Sequence, residues 1–243
     1  AMLGISPMAW LVVRDWPEKY GMAPDGAGPP GAPLAPPVSG RGDGAAGYDL
    51  SVHAATEQWS LSALVRTDAF WKIGMAYGMM MIGVVGVMSQ LKPRFSDIGF
   101  HSVDAMAMMA VTALIGAAGK YLWGSLCDRF AATRVAAVMA GATAFGLFFG
   151  LCAPHIWTLA IFITVFGFSM GGVLSTFPII VAERFGREAF PRVFRFLYMF
   201  LVLQMTGYLI SGLSYDLTGT YDAAYGLYIG LDAIACLLLF RVK

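Results

Sequence analysis

The sequence has 243 residues, of which 58% are hydrophobic and only 13% are charged. A soluble domain has about 25% charged residues, so this composition excludes an ordinary soluble domain and favours a protein embedded in lipid. The net charge of +1 argues against a nucleic-acid partner, because no basic face is available to neutralise phosphates.

The chain begins inside an apolar stretch, Ala1–Val13, that has no basic region before it and no small-residue cleavage site after it. This pattern is poor for a signal peptide. We therefore expect residues 1–13 to be the end of a helix that starts outside this sequence, and the chain to be a fragment. Residues 14–67 follow, rich in glycine and proline between Gly21 and Gly47. Such a segment has too few apolar groups to fold, and we expect a flexible cytoplasmic linker.

Six apolar runs follow within residues 68–243, each long enough to cross about 30 Å of hydrocarbon as a helix. A backbone in lipid must satisfy its hydrogen bonds internally, and these runs lack the alternating polarity of barrel strands, so each is predicted to be a helix. The fold class is therefore an all-α membrane protein with a six-helix bundle. The predicted spans are Ala69–Leu91, Val103–Cys127, Val135–Ala153, Ile156–Val181, Phe194–Ser214 and Ala223–Phe240.

Glycines recur at four-residue spacing in three of the predicted spans. In lipid, apolar burial gives little drive for helix association, and such spacing lets two helix backbones approach closely. We expect helix contacts at three pairs: Gly74 and Gly78, Gly146 and Gly150, and Gly167 and Gly171.

Most lysines and arginines lie in alternate connections, starting with the linker and ending with the C-terminus. Cytoplasmic loops carry an excess of Lys and Arg. We therefore expect the linker and the C-terminus to be cytoplasmic, in a multi-pass protein of the plasma (cell inner) membrane.

The connection between the second and third spans holds the strongest local motif, Gly124-Ser-Leu-Cys-Asp128-Arg129-Phe130, followed by Arg134. It resembles the G-x-x-x-D-R/K-x-G-R/K loop of the major facilitator superfamily, with Ala131 where a glycine is usual. As a gate, the glycine would let the helix end pack tightly, and Asp128 would sit at a helix N-terminus or pair with an arginine. The alternative is an ordinary basic cytoplasmic loop.

Three further segments narrow the resemblance, and they are Arg14–Gly26, Thr67–Trp71 and Tyr215–Tyr221. They resemble, in order, the stretch after helix six, the start of helix seven and the turn between helices eleven and twelve of oxalate/formate antiporter-like and monocarboxylate porters. The resemblance implies that the six spans are helices seven to twelve, the C-terminal half of a twelve-helix transporter. Its substrate site then lies between this half and a missing N-terminal six-helix half.

Lys120 is the main candidate for substrate binding. It lies in the second span, eight residues before Asp128, with the small residues Ala113, Gly116 and Ala117 beside it. An ammonium at this depth costs about 2.5–3.5 kcal/mol on insertion scales, so it should face protein or water. The family usually has an arginine here, which resembles an anion clamp. The alternative is a lysine that snorkels or pairs with a buried acid.

Other intramembrane polar residues are candidates of a second rank. Gln204, Tyr77 and Trp71 could line the substrate cavity, with helix packing as the alternative for each. Asp232 is a candidate for ion coupling, since intramembrane acids mark functional sites, and a structural hydrogen bond is its alternative. The resemblance to oxalate-type antiporters implies a second cation in the fifth span, but this span has no lysine or arginine from Phe200 to Thr206, so a monocarboxylate fits better than a dicarboxylate.

The resemblance implies a secondary transporter that exchanges a small organic anion or moves it together with protons. The alternatives are another substrate class, such as a sugar phosphate or a drug, or a membrane-embedded enzyme. For the enzyme, the G-x-S-x-G match around Ser169 would need catalytic partners that the sequence does not offer. The cysteines have no metal or redox spacing, and no metal or cofactor is expected. They are Cys127, Cys152 and Cys236.

Overall fold

A computed structural model describes residues 61–152, 155–187 and 189–242. The predictions for residues 1–13 and for most of the linker lie outside these residues. The last linker residues form a short helix, α1 (Leu61–Arg66), whose Leu64 is buried.

Six helical spans follow, and each is long and apolar enough to cross a membrane. The six-helix prediction is confirmed for the described residues, with span ends that differ by at most six residues from those predicted. The fifth span has three parts, because a 3₁₀ segment interrupts it. The spans are α2 (Asp68–Asp97), α3 (Ser102–Cys127), α4 (Ala132–Leu151), α5 (Ile156–Phe185), α6 (Phe190–Tyr198) with the 3₁₀ segment Met199–Gln204 and α7 (Met205–Thr218), and α8 (Asp222–Phe240).

Local signals explain several helix ends. Pro191 lies in the first turn of α6, where a missing N–H costs nothing and the fixed φ suits a helix. Gly219 ends α7 in the left-handed conformation at φ 71°. Its N–H donates to the Tyr215 carbonyl at 2.8 Å, a common way to close a helix.

The spans pack in a continuous order around α2. This helix contacts the fifth span, α8 and α3, and further contacts join α8 to α4, α4 to α5 and α5 to α3. The helices α3 and the fifth span are the least buried of the six. Both therefore carry broad open faces in this bundle.

The glycine pairs lie at helix contacts, as predicted. A methyl group on Gly167 would lie 2.8 Å from the Thr112 carbonyl oxygen of α3, and Gly171 lies directly against the Gly116 carbonyl. On α4, a methyl group on Gly146 would lie 2.8 Å from the backbone nitrogen of Phe166. A methyl group on Gly150 would lie 3.0 Å from the Phe162 ring of α5. The remaining two contacts join Gly74 and Gly78 of α2 to Phe200 and Leu203 of the 3₁₀ segment.

A buried polar cluster joins α2, α7 and α8. The Tyr228 hydroxyl donates to the Gly207 carbonyl at 2.8 Å and lies 2.7 Å from the Ser211 hydroxyl. Ser211 in turn donates to the Gly86 carbonyl at 3.2 Å. Hydrogen bonds of this kind tie helices together where hydrophobic burial cannot.

Arg94, near the end of α2, makes a second junction. Its guanidinium pairs with Asp222 of α8 at 3.0 Å and donates to the Gly150 carbonyl of α4. It also lies over the Tyr225 ring, 4.2 Å from the centroid. These contacts hold α2, α4 and α8 together at one end of the bundle.

Candidate substrate-binding face and gate loop

The helix α3 has three distinct faces. Its buried face packs on α5 through Ala105, Thr112, Gly116, Gly119 and Trp123. These residues recur at spacings of three, four and seven, which place them on one side of a helix. The Trp123 indole N–H reinforces this contact by donating to the Phe168 carbonyl at 3.0 Å.

Lys120 lies on a second face of α3, which is open. We call this the Lys120 face. It consists of residues that follow one another by three or four positions and therefore line one side of the helix. Five of its members are exposed and Gly124 is half-buried. On this face, the side chains that lie between Met106 and Lys120 are the methyl groups of three alanines. The face comprises Met106, Ala110, Ala113, Ala117, Lys120 and Gly124.

The third face of α3 carries bulky apolar side chains. Leu114, which is 71% exposed, lies six residues before Lys120 and so about 120° away around the helix. Val111 and Leu122 continue this face. Exposed leucine and valine suit contact with lipid, whereas the small residues beside Lys120 leave room for a solute or for a partner helix.

Lys120 has no counter-ion within the described part of the chain. Its side chain is exposed rather than enclosed in the bundle. The alternative of a lysine paired with a buried acid of the described bundle is therefore wrong.

The other three candidate binding residues occupy different surroundings. Tyr77 is fully buried, and its hydroxyl lies 2.8 Å from that of Thr176 in α5, so it packs two helices together and does not line an open face. Trp71 is 45% exposed, with its indole N–H bonded to the Val65 carbonyl and its ring against Phe200. Gln204 is half-buried at the end of the 3₁₀ segment.

The loop between α3 and α4 holds the predicted gate residues. Asp128, Arg129 and Arg134 are all exposed. Neither arginine pairs with Asp128, and no other ion pair of these three side chains occurs among the described residues. Asp128 follows the C-terminus of α3, and its carboxylate accepts no hydrogen bond from a helix N-terminus among the described residues. The loop therefore presents three charges that have no ion-pair partner in the described part of the chain.

The expectation for Gly124 is wrong in one respect. We expected this glycine to let the end of α3 pack tightly. A methyl group added at Gly124 would meet nothing within 4 Å, because the residue lies on the open Lys120 face. Its small size therefore serves no contact inside the described bundle.

Asp232 lies near the middle of α8 and is completely buried. Neither carboxyl oxygen has a hydrogen-bond partner among the residues described. The opposite residue is Gly83, near the middle of α2, where an added methyl group would lie 3.6 Å from one oxygen. The structural hydrogen bond considered as the alternative role for Asp232 is not formed here.

The family assignment rests on most of the chain. The family model described as Major Facilitator Superfamily matches residues 71–243, and this range contains nearly all of the six spans and the gate loop. The chain belongs to the Major Facilitator Superfamily. No curated protein sequence matches it. Membership assigns this multi-pass membrane protein to transport, and the match around Ser169 does not change that. The glycines of that match, Gly167 and Gly171, pack against α3.

One residue near the gate loop of this superfamily member was missed by sequence reasoning. Glu183 of α5 accepts a hydrogen bond from the Ala132 N–H at 2.9 Å. It thereby caps the start of α4, where a carboxylate is favourable to the helix dipole. The available signal was an acid two residues after the predicted end of the fourth span, but its partner is 51 positions away.

Proposed function

We propose that this superfamily member carries a small organic monocarboxylate across the membrane by alternating access, with Lys120 binding the carboxylate. The observation that supports this is an open lysine inside an apolar span, with no counter-ion in the described bundle and with alanines around it. Such a charge is stable at this depth only if water, protein or an anion compensates it. A carboxylate would provide that compensation.

The substrate class follows from charge and from resemblance. Lys120 is the one cation that this half is proposed to offer to the substrate, which suits a single carboxylate. The fifth span adds no second cation from Phe200 to Thr206. The segments Thr67–Trp71 and Tyr215–Tyr221 resemble oxalate/formate antiporter-like and monocarboxylate porters. A sugar phosphate is the second candidate, because the same ammonium would also attract a phosphate group.

Transport in this proposal needs a second six-helix half. Transporters of this superfamily place their substrate site between two six-helix halves that rock against each other. The Lys120 face would then line the cavity between the halves. The unpaired Asp128, Arg129 and Arg134 would hold the cytoplasmic gate through contacts with the other half, since they make no ion pair within the described bundle.

Uptake measurements test the substrate. The complete transporter, with both halves, is reconstituted and supplied with labelled formate, lactate, pyruvate or oxalate. We expect monocarboxylate uptake that Lys120→Gln lowers at least tenfold and that Lys120→Arg partly retains. Lys92→Gln removes a lysine outside the site and should leave uptake unchanged. Full uptake by a well-expressed Lys120→Gln variant would refute the role of Lys120, and transport of a sugar or a cationic drug alone would refute the substrate class.

We further propose that Asp232 is the proton-carrying group in proton-coupled transport. A buried acid without a counter-ion is costly as an anion in lipid, so gain and loss of a proton would accompany a change in its surroundings. Exchange for a counter-anion is the alternative form of coupling. Asp232→Asn should abolish accumulation driven by a pH gradient and leave exchange of internal for external substrate intact. Unchanged accumulation driven by a pH gradient in that variant would show that Asp232 is not the group that carries the proton.

A further inference from the structure

A basic cavity lies at the end of the bundle opposite Arg94, between the start of α2 and the last turns of α5 and α8. Its volume is about 580 Å³. Lys72 and Asp68 of α2 line it together with Arg184 of α5 and Arg241, which follows α8. This cavity is separate from the Lys120 face, which belongs to α3.

The charges of this basic cavity are only partly neutralised. Lys72 pairs with Asp68 and also donates to the backbone carbonyl of Arg241 at 3.0 Å. That pair uses the only carboxylate among the described lining residues. Arg184 and Arg241 are both exposed, and neither side chain forms an ion pair within the described ranges. Two of the residues that line the cavity therefore have guanidinium groups without a carboxylate partner in the described bundle.

The rest of the cavity lining is apolar, and it continues onto the outer surface of α8. Ala69, Phe240 and Val242 contribute to the lining. Phe240 is 58% exposed at the end of the span, and Leu237, one turn earlier, is 60% exposed. A molecule bound to the arginines would therefore have an apolar surface beside it that leads along the span.

We propose that this basic cavity binds a phosphate-bearing anion, the headgroup of an anionic phospholipid. Guanidinium groups recognise phosphate through paired hydrogen bonds. Basic pockets between helices on the cytoplasmic side of a membrane bind anionic headgroups, and the cytoplasmic placement used here is the one proposed from the distribution of Lys and Arg. The acyl chains would lie along Phe240 and Leu237. The lipid would join α2, α5 and α8, and this site does not depend on the transported substrate.

Binding is measured on the purified transporter by native mass spectrometry and by its melting temperature. Phosphatidylglycerol is compared with phosphatidylcholine, and a separate arm uses millimolar inorganic phosphate. The site variant is the double substitution Arg184→Gln with Arg241→Gln. The control is Arg129→Gln with Arg134→Gln, which removes the same charge from exposed, unpaired arginines of another loop at the same end of the bundle.

We expect phosphatidylglycerol to bind and to raise the melting temperature, and the site variant to weaken this binding at least fivefold while the control keeps it. If the site variant does not fold, Arg184→Gln alone replaces it, because that side chain makes no ion pair in the described bundle. A shift caused equally by inorganic phosphate would keep the anion site but refute the lipid as its source. Equal phosphatidylglycerol binding by site variant and wild type, or no preference over phosphatidylcholine, would refute the proposal.

Discussion

Two buried tyrosines on α8 provide a matched test of the hydrogen-bonded packing. Tyr225 and Tyr228 lie three residues apart, and both are at most 1% exposed. The Tyr228 hydroxyl contacts Gly207 and Ser211, whereas the Tyr225 hydroxyl has no hydrogen-bond partner among the described residues. Replacing each by phenylalanine removes the same atom from two different environments.

The expected magnitude follows from counting donors. Tyr228 and Ser211 carry one hydroxyl hydrogen each. They make three polar contacts, which are Tyr228 with the Gly207 carbonyl, Ser211 with the Gly86 carbonyl, and one hydroxyl with the other. Two hydrogens can form only two full hydrogen bonds at a time. After Tyr228→Phe, Ser211 can still donate to the Gly86 carbonyl. The net loss is therefore one hydrogen bond, or about 0.5–1.5 kcal/mol of the free energy of unfolding. Tyr225→Phe removes a buried hydroxyl that has no compensating bond, so it should be neutral or stabilise by up to about 1–3 kcal/mol.

Reversible unfolding of the purified transporter in mixed detergent micelles measures both variants. Tyr228→Phe should unfold at a lower denaturing-detergent fraction than wild type, and Tyr225→Phe at the same fraction or a higher one. Equal loss by the two variants, or a greater loss for Tyr225→Phe, would show that the cluster at Tyr228 does not stabilise the bundle as described.

Three further predictions use the same unfolding measurement. Arg94→Gln should lower the free energy of unfolding by about 2 kcal/mol or more, because it loses a charge-assisted hydrogen bond and a ring contact. Asp222→Asn should lower it by about 1 kcal/mol or less, because that carboxylate is half-exposed. Similar losses for the two variants would contradict this prediction. Gly171→Val should destabilise the bundle by about 1–3 kcal/mol or more, since the new side chain forces the α3 backbone away. Gly230→Val should change the stability little, because a side chain there extends into open space. Equal effects of the two substitutions would refute the close helix contact. Glu183→Ala should cost about 0.5–2 kcal/mol through loss of the cap on α4, and an unchanged midpoint would show that the cap is not needed.

The six spans could be predicted because each one needs about 20 apolar residues, a signal contained within the segment itself. Their ends were harder to predict. The apolar run of the fourth span stops at Val181, but α5 continues through Glu183 to Phe185, because a helix need not end where it leaves the apolar layer. The third span starts at Ala132, and not at Val135, with a cap supplied by Glu183 from another helix.

The 3₁₀ segment could not be predicted from its own residues. Met199–Gln204 contains neither proline nor glycine, and the segment coincides with the place where Phe200 and Leu203 lie against the glycines of α2. Such a contact depends on which helices become neighbours, information that a single span does not contain.

The candidate site was predictable to the same limited extent. A lysine in an apolar span stands out in any sequence, and Lys120 proved to be open and without a counter-ion in the described bundle. Tyr77 was ambiguous, because α2 is apolar on most sides and its contact with Thr176 follows from the packing order. Gly124 was misinterpreted for the same reason, since only the packing shows that its side of α3 is open.

The central claim is that the Lys120 face meets water and a substrate anion, whereas the Leu114 face meets lipid. Cysteine accessibility tests it directly, in a cysteine-free form of the complete transporter that carries either Lys120→Cys or Leu114→Cys. A membrane-impermeant, positively charged thiol reagent should modify the cysteine at position 120 rapidly and should leave that at position 114 unmodified. Equal modification at both positions, or reaction at position 120 with lipid-soluble reagents alone, would contradict the account.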